Sequence, residues 1–454
     1  TDPLFAQYDR LQKRHMVHPW ADFNDLDTHH YPTYLTGVAR FTNGYKVFMP
    51  TEFMHAMYDQ GGGAGLRDFW DRWCTNPLFA GGFIWVYCDE APKRSDKGGI
   101  LDSDKSNAPD GVVGPRREKE GSYYAIRAQW SPIQLKPLLI TNHFDGSFLL
   151  TNEYTFTNLK ECRMTYKVLS CGTPLKGDAE AGKVIAEGKV QLPSINPGET
   201  GTARFELPDS FREGDMLELE AFDREGKSIC NWTYPIHLAK QYFERTLSQT
   251  TLTPAPQKAE ARQTSDAIEL KSSIVSITFD AATGMIRHIK SGETEIPFKD
   301  GPVAVGMKMR YEPSLSYTRH SSDGAIYCAK YKGAADSIVW RLTNEGLLYM
   351  DAILLNRGSG GGGFDDAFTD TEVLNLGLTF SYPESECSGM RWMGRGPYRV
   401  WKNRIPGANY GVWQKDYNNT ITGESTERLV YPEFKGYHAN LYWATLQSST
   451  APFT

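Results

Sequence analysis

Residues 49–57 read Met-Pro-Thr-Glu-Phe-Met-His-Ala-Met, which sets a carboxylate, Glu52, among apolar neighbours with an imidazole, His55, three positions on. An ionised carboxylate can attack an electrophilic carbon and form a covalent intermediate. A tyrosine hydroxyl nearby would steady it, and an imidazole would bind a substrate hydroxyl. Tyr31, in His-His-Tyr-Pro (29–32), can supply the hydroxyl, and Trp85, in the run 81–90, a stacking wall. Asp89 and Glu90 close that run, while His18, Asp22, His29 and His30 precede the motif. Residue types alone leave a plainer reading open. Glu52 would then be a capped surface carboxylate and His55 a satisfied core histidine, because short motifs are rarely specific.

Such groups need a scaffold that ends on them. The runs 15–20, 27–35, 46–53 and 81–89 are short and apolar, as strands are. Between the last two, Leu66, Phe69, Trp70 and Trp73 recur at helical spacing until Asn76-Pro77 stops them. Strands alternating with helices over residues 1–134 predict a parallel sheet with helical crossovers. In a (β/α) barrel, catalytic groups stand at the C-terminal ends of such strands. Val47, Phe48 and Met49 would be the body of one strand with Glu52 at that end. Tyr31 would end the strand before it, and Trp85 and Asp89 the strand after it.

Beyond residue 134 the texture changes. The runs 151–158, 162–171, 182–193, 201–208 and 215–223 alternate apolar and polar residues, with turn signals such as Asn196-Pro197-Gly198 between them. Short alternating strands at this spacing predict a β-sandwich over 135–240. Residues 241–264 are polar and contain proline, as linkers do. Strand patterns resume over 265–454, a second and larger β domain; its Gly-rich stretch 358–366 matches no phosphate-loop spacing. The expected fold class is multidomain, α/β followed by all-β.

Composition excludes several functions. A chain of 454 residues exceeds one compact core. Aromatic residues reach 13%, which suits sugar stacking but is also ordinary in β-rich chains. Net charge is −6 with both signs interspersed, so no basic stripe points to nucleic acid. No apolar run approaches ~18 residues, so no membrane helix is expected. Seven scattered cysteines without a Cys-x-x-Cys pair indicate neither a zinc site nor a disulfide framework; Cys162 and Cys171 either pair or stay as thiols. Residues 102–107 begin like a calcium loop. Asn107 replaces the glycine of the sixth position and Val113 the glutamate of the twelfth, which leaves a solvated acidic loop.

Four segments in order carry a family resemblance. Thr-Glu-Phe-Met-His-Ala-Met (51–57) resembles the nucleophile segment of glycoside hydrolase family 2, whose best-known members are β-galactosidases. Gly-Gly-Phe-Ile-Trp-Val-Tyr-Cys-Asp (81–89) is similar to the family segment whose tryptophan lines the sugar site. Residues 109–133 resemble the stretch that closes the family's barrel, and Trp392-Met-Gly-Arg-Gly-Pro397 resembles a segment of its C-terminal domain. The resemblance implies the second half of a (β/α)8 TIM barrel at 1–134, an immunoglobulin-like β-sandwich at 135–240, a linker at 241–264 and a β super-sandwich at 265–454 that lacks its closing segment.

It also implies an activity: retaining exo-hydrolysis of a β-galactoside or other β-linked oligosaccharide by double displacement. Glu52 would be the nucleophile, Tyr31 its hydrogen-bonding partner, and His55, Trp85, Asp89 and His18 substrate-binding residues. β-Glucuronidase, β-mannosidase and a non-catalytic sugar-binding remnant stay open as alternatives. The family's acid/base glutamate follows an asparagine and precedes the nucleophile, and no Asn-Glu pair lies in residues 1–51. The pairs Asn152-Glu153 and Asn344-Glu345 sit in β texture and read as structural. The acid, four further barrel strands and most ligands of a family Mg or Na site are therefore expected elsewhere, upstream in the same polypeptide or on a second chain. A homo-oligomer and a periplasmic or secreted setting are compatible with the resemblance.

Overall fold

Alternating apolar residues dominate the middle of the chain, and in the computed structural model they become antiparallel sheet. The structure describes residues 2–9, 11, 18, 25–35, 44–55, 65–101, 110–174, 181–250, 252, 256–306, 308–355, 376–398, 400, 405–417, 436–448 and 450. The strand expected at 15–20 (apart from His18), Asp22, the loop 102–107 and the Gly-rich stretch 358–366 lie outside the described residues. Two compact units divide the chain: Thr1–Thr246 with Arg391–Ala444, and Leu247–Met390 with Thr445–Thr454.

In the first unit two antiparallel sheets share one core. One runs Ser228–Pro235, Met216–Phe222, Arg163–Leu169, Val184–Val190; the other Ile133–Leu135, Ser147–Asn152, Thr200–Arg204. Period-two alternation explains the packing: Leu217, Leu219 and Ala221 are fully buried and meet Leu150, Val168, Ala203 and Phe205. Burying each large side chain of this kind contributes about 1.5–3 kcal/mol. The strand expected at 151–158 ends instead at Asn152. The buried Asn152 amide donates to the Thr157 and Ile195 carbonyl oxygens and accepts from the Tyr154 N–H. A side chain that competes for backbone groups in this way folds 153–158 into a turn and leaves Phe156 93% exposed.

The stretch read as a linker is partly ordered. A helix spans Ala239–Ser248, and Glu260–Gln263 pairs with Ala267–Lys271. Tyr242 anchors that helix by burying its ring with Leu169, Cys171 and Met216. Met393 and Tyr410 join the same cluster, which is why 391–444 groups with the first unit although its texture continues that of 265 onward. The second unit is again β on β. A meander of five strands, Glu260–Gln263 to Thr294–Ile296, shares a core with the sheet that holds Gly324–Gly333 and Ala335–Thr343. Ile268, Leu270, Ile277 and Phe279 from one sheet meet Tyr327, Ile338, Trp340 and Leu342 from the other. The described chain is thus a sandwich-rich β protein. No described helix is long and apolar enough to cross a membrane. All seven cysteines are free, Cys162 and Cys171 included.

Residues 25–130 are built on another plan. Leu26–Asp27 pairs with Val47–Phe48 in parallel, and parallel bridges join His30 to Glu52, Phe48 to Phe79, His55 to Trp85 and Cys88 to Val113. The segments 26–31, 47–55, 79–88 and 110–113 therefore lie side by side in sequence order. Helix Leu66–Trp73 covers one side, with Leu66 and Trp73 fully buried against Phe48, Phe53 and Ile126. Its apolar residues fall at the 3.6 period that the sequence showed.

Candidate active site

Glu52 and Phe53 are neighbours with opposite fates. Phe53 is buried in the aromatic cluster under the helix, where its ring lies 5.1 Å from Trp73. Glu52 emerges on the other side, its side chain 22% exposed: desolvated enough to be held, open enough to be reached. The strand pairing brings the partners in. Tyr31 N–H donates to the Glu52 carbonyl oxygen at 2.6 Å, and Thr51 N–H to that of His29 at 3.0 Å. This register places Tyr31 and His30 beside Glu52.

Two side chains then order the carboxylate. The Tyr31 hydroxyl hydrogen-bonds it, and burial together with that bond holds the phenol far above its ordinary range, so it stays a donor. His30 Nε2 lies 3.4 Å from Glu52 Oε2, while its Nδ1 lies 3.2 Å from the Thr51 hydroxyl. Tyr31 adopts φ 52°, in the left-handed region where a bulky residue is strained, next to Pro32. Strain of this kind, of order 1–3 kcal/mol, collects at sites where geometry is imposed.

His55 belongs to the same wall. Its ring stacks on Tyr31 with centroids 5.0 Å apart and planes 12° apart, and its Nδ1 lies 3.2 Å from Asp110 Oδ2. With Asp110 ionised, Nδ1 donates and Nε2 is left for a ligand. Asp110 is anchored through its backbone, where its carbonyl oxygen accepts from Val86 N–H at 3.2 Å. Trp85 N–H donates to the Met54 carbonyl oxygen, which sets Trp85 directly beside His55.

The structure thus brings Glu52, Tyr31, His55 and Trp85 together. The other two residues fall differently. Asp89 is 5% exposed, behind the wall, and its Oδ1 accepts the Gly111 N–H at 2.8 Å. Burial first, then the neighbouring Asp110, raises its carboxyl above the usual range, while the Gly111 N–H pulls the other way. His18 meets this region through its backbone, where its carbonyl oxygen accepts from the Thr28 hydroxyl, and the residue is exposed. Asp110 was missed by the sequence reading, and so was the pairing of His30 with Glu52. Only the spacing of Asp110-Gly111 after the 81–89 run could have pointed to the former.

The Asn-Glu pairs are structural. Asn152 folds the turn described above, and Asn344 Oδ1 accepts from Ala259 N–H. Among the described residues no three His, Cys, Asp or Glu side chains converge as a metal site. A groove of about 990 Å³ lined by Trp70, Tyr124, Trp130 and Arg395 contains none of the residues around Glu52.

A carboxylate fixed by a phenol and an imidazole, beside a second imidazole and an indole, suits nucleophilic chemistry on a sugar. A family model described as β-galactosidase, domain 4, matches residues 148–230. The β-galactosidase of Actinobacillus pleuropneumoniae is 25% identical over 195 residues, 40% of this chain and 19% of its own length. That of Enterobacter cloacae is 21% identical over 420 residues (80% and 37%), and that of Yersinia enterocolitica 21% over 500 residues (96% and 43%). Among solved structures, the exo-chitosanase CsxA of Amycolatopsis orientalis matches 64% of this chain and 34% of its own at 10% identity and TM-score 0.20. A β-glucuronidase from glycoside hydrolase family 2 matches 83% and 39% at 13% identity and TM-score 0.19. Over most of its length the chain is similar to β-galactosidases, and residues 148–230 match their domain 4. It spans well under half the length of these β-galactosidases.

Proposed function

We propose that this polypeptide carries the nucleophile of a retaining exo-β-glycosidase that acts on β-galactosides. The observation that supports the reading is the Glu52 carboxylate held by the Tyr31 hydroxyl and His30, with His55 and Trp85 alongside. In the first step Glu52 attacks the anomeric carbon from the face opposite the leaving group, and the bond to the leaving oxygen breaks as that oxygen takes a proton. In the second, water attacks the glycosyl ester and frees the sugar and Glu52. The Tyr31 hydroxyl steadies the carboxylate before attack and after release. His55 Nε2 binds a sugar hydroxyl, and Trp85 stacks on the sugar face.

Proton delivery needs a second carboxyl about 5–5.5 Å from the first in a retaining enzyme. The reading assigns it to a glutamate outside these 454 residues, since the β-galactosidases compared here are much longer. On the same reading, the parallel segments 26–31 to 110–113 are part of a (β/α)8 barrel completed by that polypeptide. The sheets around Leu217 form the immunoglobulin-like domain, and the second unit belongs to the super-sandwich. Any Mg or Na site would be completed by the same missing carboxylates.

The test uses the full-length protein. Glu52→Gln should abolish turnover of a β-galactoside while circular dichroism stays unchanged, and a 2-fluoro-galactoside should label the wild-type peptide 46–55 and spare the variant. Undiminished turnover, or label on another residue, would refute the assignment.

A further inference from the structure

We infer that the groove lined by Trp70 and Trp130 is an accessory binding site for a neutral β-linked oligosaccharide, separate from the wall around Glu52. The groove does not depend on the role of Glu52; only the ligand class rests on the reading of the protein as a β-glycosidase. Its volume is about 990 Å³, and every residue that lines it belongs to the first compact unit. Ligand sites run to about 300–1,000 Å³, so several sugar rings fit and a single ring leaves most of the groove empty.

Helix Leu66–Trp73 stands between the two places. Phe53, the neighbour of Glu52, is packed under that helix, 5.9 Å from the Phe69 ring. Trp70 on the same helix meets Trp130 instead, with ring centroids 5.1 Å apart and planes at 59°. Trp70 is half-buried and Trp130 is 41% exposed. Two indoles set at an angle offer stacking faces to successive sugar rings, whose C–H groups meet the negative π-face.

The walls are tied together before any ligand arrives. Gln134 Nε2 donates to the carbonyl oxygens of Ala128, Gln129 and Ser131 at 3.0, 3.1 and 2.8 Å, which closes the end of helix Gly121–Gln129. Gln129 Nε2 donates to Asp71 Oδ1 at 2.8 Å and joins that helix to Leu66–Trp73. Arg127 Nε donates to the Ile229 carbonyl oxygen at 2.7 Å and joins it to strand Ser228–Pro235. Gly407, at φ 80°, lies so close to the helix that a Cβ would stand 2.2 Å from the Tyr124 carbonyl carbon. A groove fixed in this way loses little freedom when a ligand enters.

Unengaged polar groups line the same space. Among the described residues the Asn231 amide and the Tyr234 hydroxyl have no hydrogen-bond partner. Arg395 is held by its Nη1, which donates to the Ala408 carbonyl oxygen at 2.9 Å, while its Nε is buried with no partner. Sugar hydroxyls donate and accept, so they match an amide, a phenol and a guanidinium at once. Charges of both signs stand on the rim, where Arg67 pairs with Asp71 at 3.1 Å and Lys136 and Glu153 are exposed. No single sign of field therefore calls for an ionic ligand. A chain held here keeps its free end at high effective concentration near Glu52.

The experiment uses the full-length protein with Glu52→Gln, so that sugars are not consumed, and β-1,3-, β-1,4- and β-1,6-linked galactotetraose with galactose as control. Hydrogen exchange should show protection of 67–74 and 127–137 by at least one tetraose and none there by galactose. Trp130→Ala should remove that protection and weaken the groove's affinity in calorimetry at least about tenfold. In protein with Glu52 intact, Trp130→Ala should leave turnover of 4-nitrophenyl β-galactoside within about twofold of the wild type. Protection confined to the segments around Glu52, protection that survives Trp130→Ala, or none with any tetraose would overturn the proposal. A groove already protected without sugar would mark it as covered by protein and would overturn it too. If the wild type turns over no galactoside, the nucleophile assignment fails, and protection at 127–137 still decides the groove. Should Trp130→Ala fail to fold, Asn231→Ala supplies the same comparison.

Discussion

The two-sheet sandwich around Leu217 and the parallel segments around Glu52 lie in one unit and hold together by different means. The sandwich has strands of three to eight residues in antiparallel ladders, such as Met216–Phe222 and Ser228–Pro235, over one apolar core. The parallel region has strands of two residues joined by single bridges, and large side chains such as Tyr45, Phe83 and Tyr87 stand 82%, 61% and 65% exposed. Its order comes from an aromatic cluster behind the sheet, with Phe48, Phe53 and Phe79 each packed on Trp73. The difference teaches a division of labour. The sandwich satisfies its own backbone, whereas the site trades ladder length for side chains that face outward and carry charge.

That contrast can be broken from either side. The largest effect should come from Glu52→Gln: turnover in the full-length protein falls by at least about 10³-fold, while the unfolding midpoint shifts by less than about 1 kcal/mol equivalent. Leu217→Ala does the reverse. It should cost about 2–5 kcal/mol in urea unfolding, with hydrogen exchange accelerating across 147–235 and the site residues keeping their protection. Gly111→Ala should cost a comparable amount, because its Cβ would press on backbone atoms that cannot swing aside; differential scanning calorimetry should show a loss of at least ~2 kcal/mol, and exchange should rise at 86–89 rather than in the sandwich.

The smallest effect is one of pH. Burial raises the carboxyl of Asp89 and that of Asp110 above their ordinary values. A carboxyl whose folded value is raised favours the protonated state. The stability it lends is complete below the unfolded value of ~3.9 and is lost as pH rises through the folded value. Asp89→Asn should therefore flatten the decline in melting temperature between pH 5 and 8 and gain on the order of 1 kcal/mol at the upper end. An unchanged slope would show that Asp89 does not titrate in that window.

Much of the sandwich was legible because alternation with period two is written residue by residue. Leu217, Leu219 and Ala221 are buried and separated by glutamates. The turn at 153–158 was not legible, because Asn152 reaches Ile195, a partner distant in sequence. The helix at Ala239–Ser248 hid in a polar stretch because one buried ring, Tyr242, decides it. At the site, the types of Glu52, Tyr31, His55 and Trp85 announced chemistry, and their association followed from placing strand ends together. Asp110 carried no signal of its own beyond standing before a glycine.

What these 454 residues determine locally is periodicity, turn chemistry and the inventory of groups able to react, since each depends on neighbours along the chain. Tertiary structure alone decided which carboxylate meets which imidazole. His30 meets Glu52 and His55 meets Asp110 across 22 and 55 positions, through parallel pairing whose register no local pattern specifies. Burial followed from the same packing, and burial sets the charge states of Asp89, Asp110 and Tyr31, because desolvation is a property of the assembled surroundings.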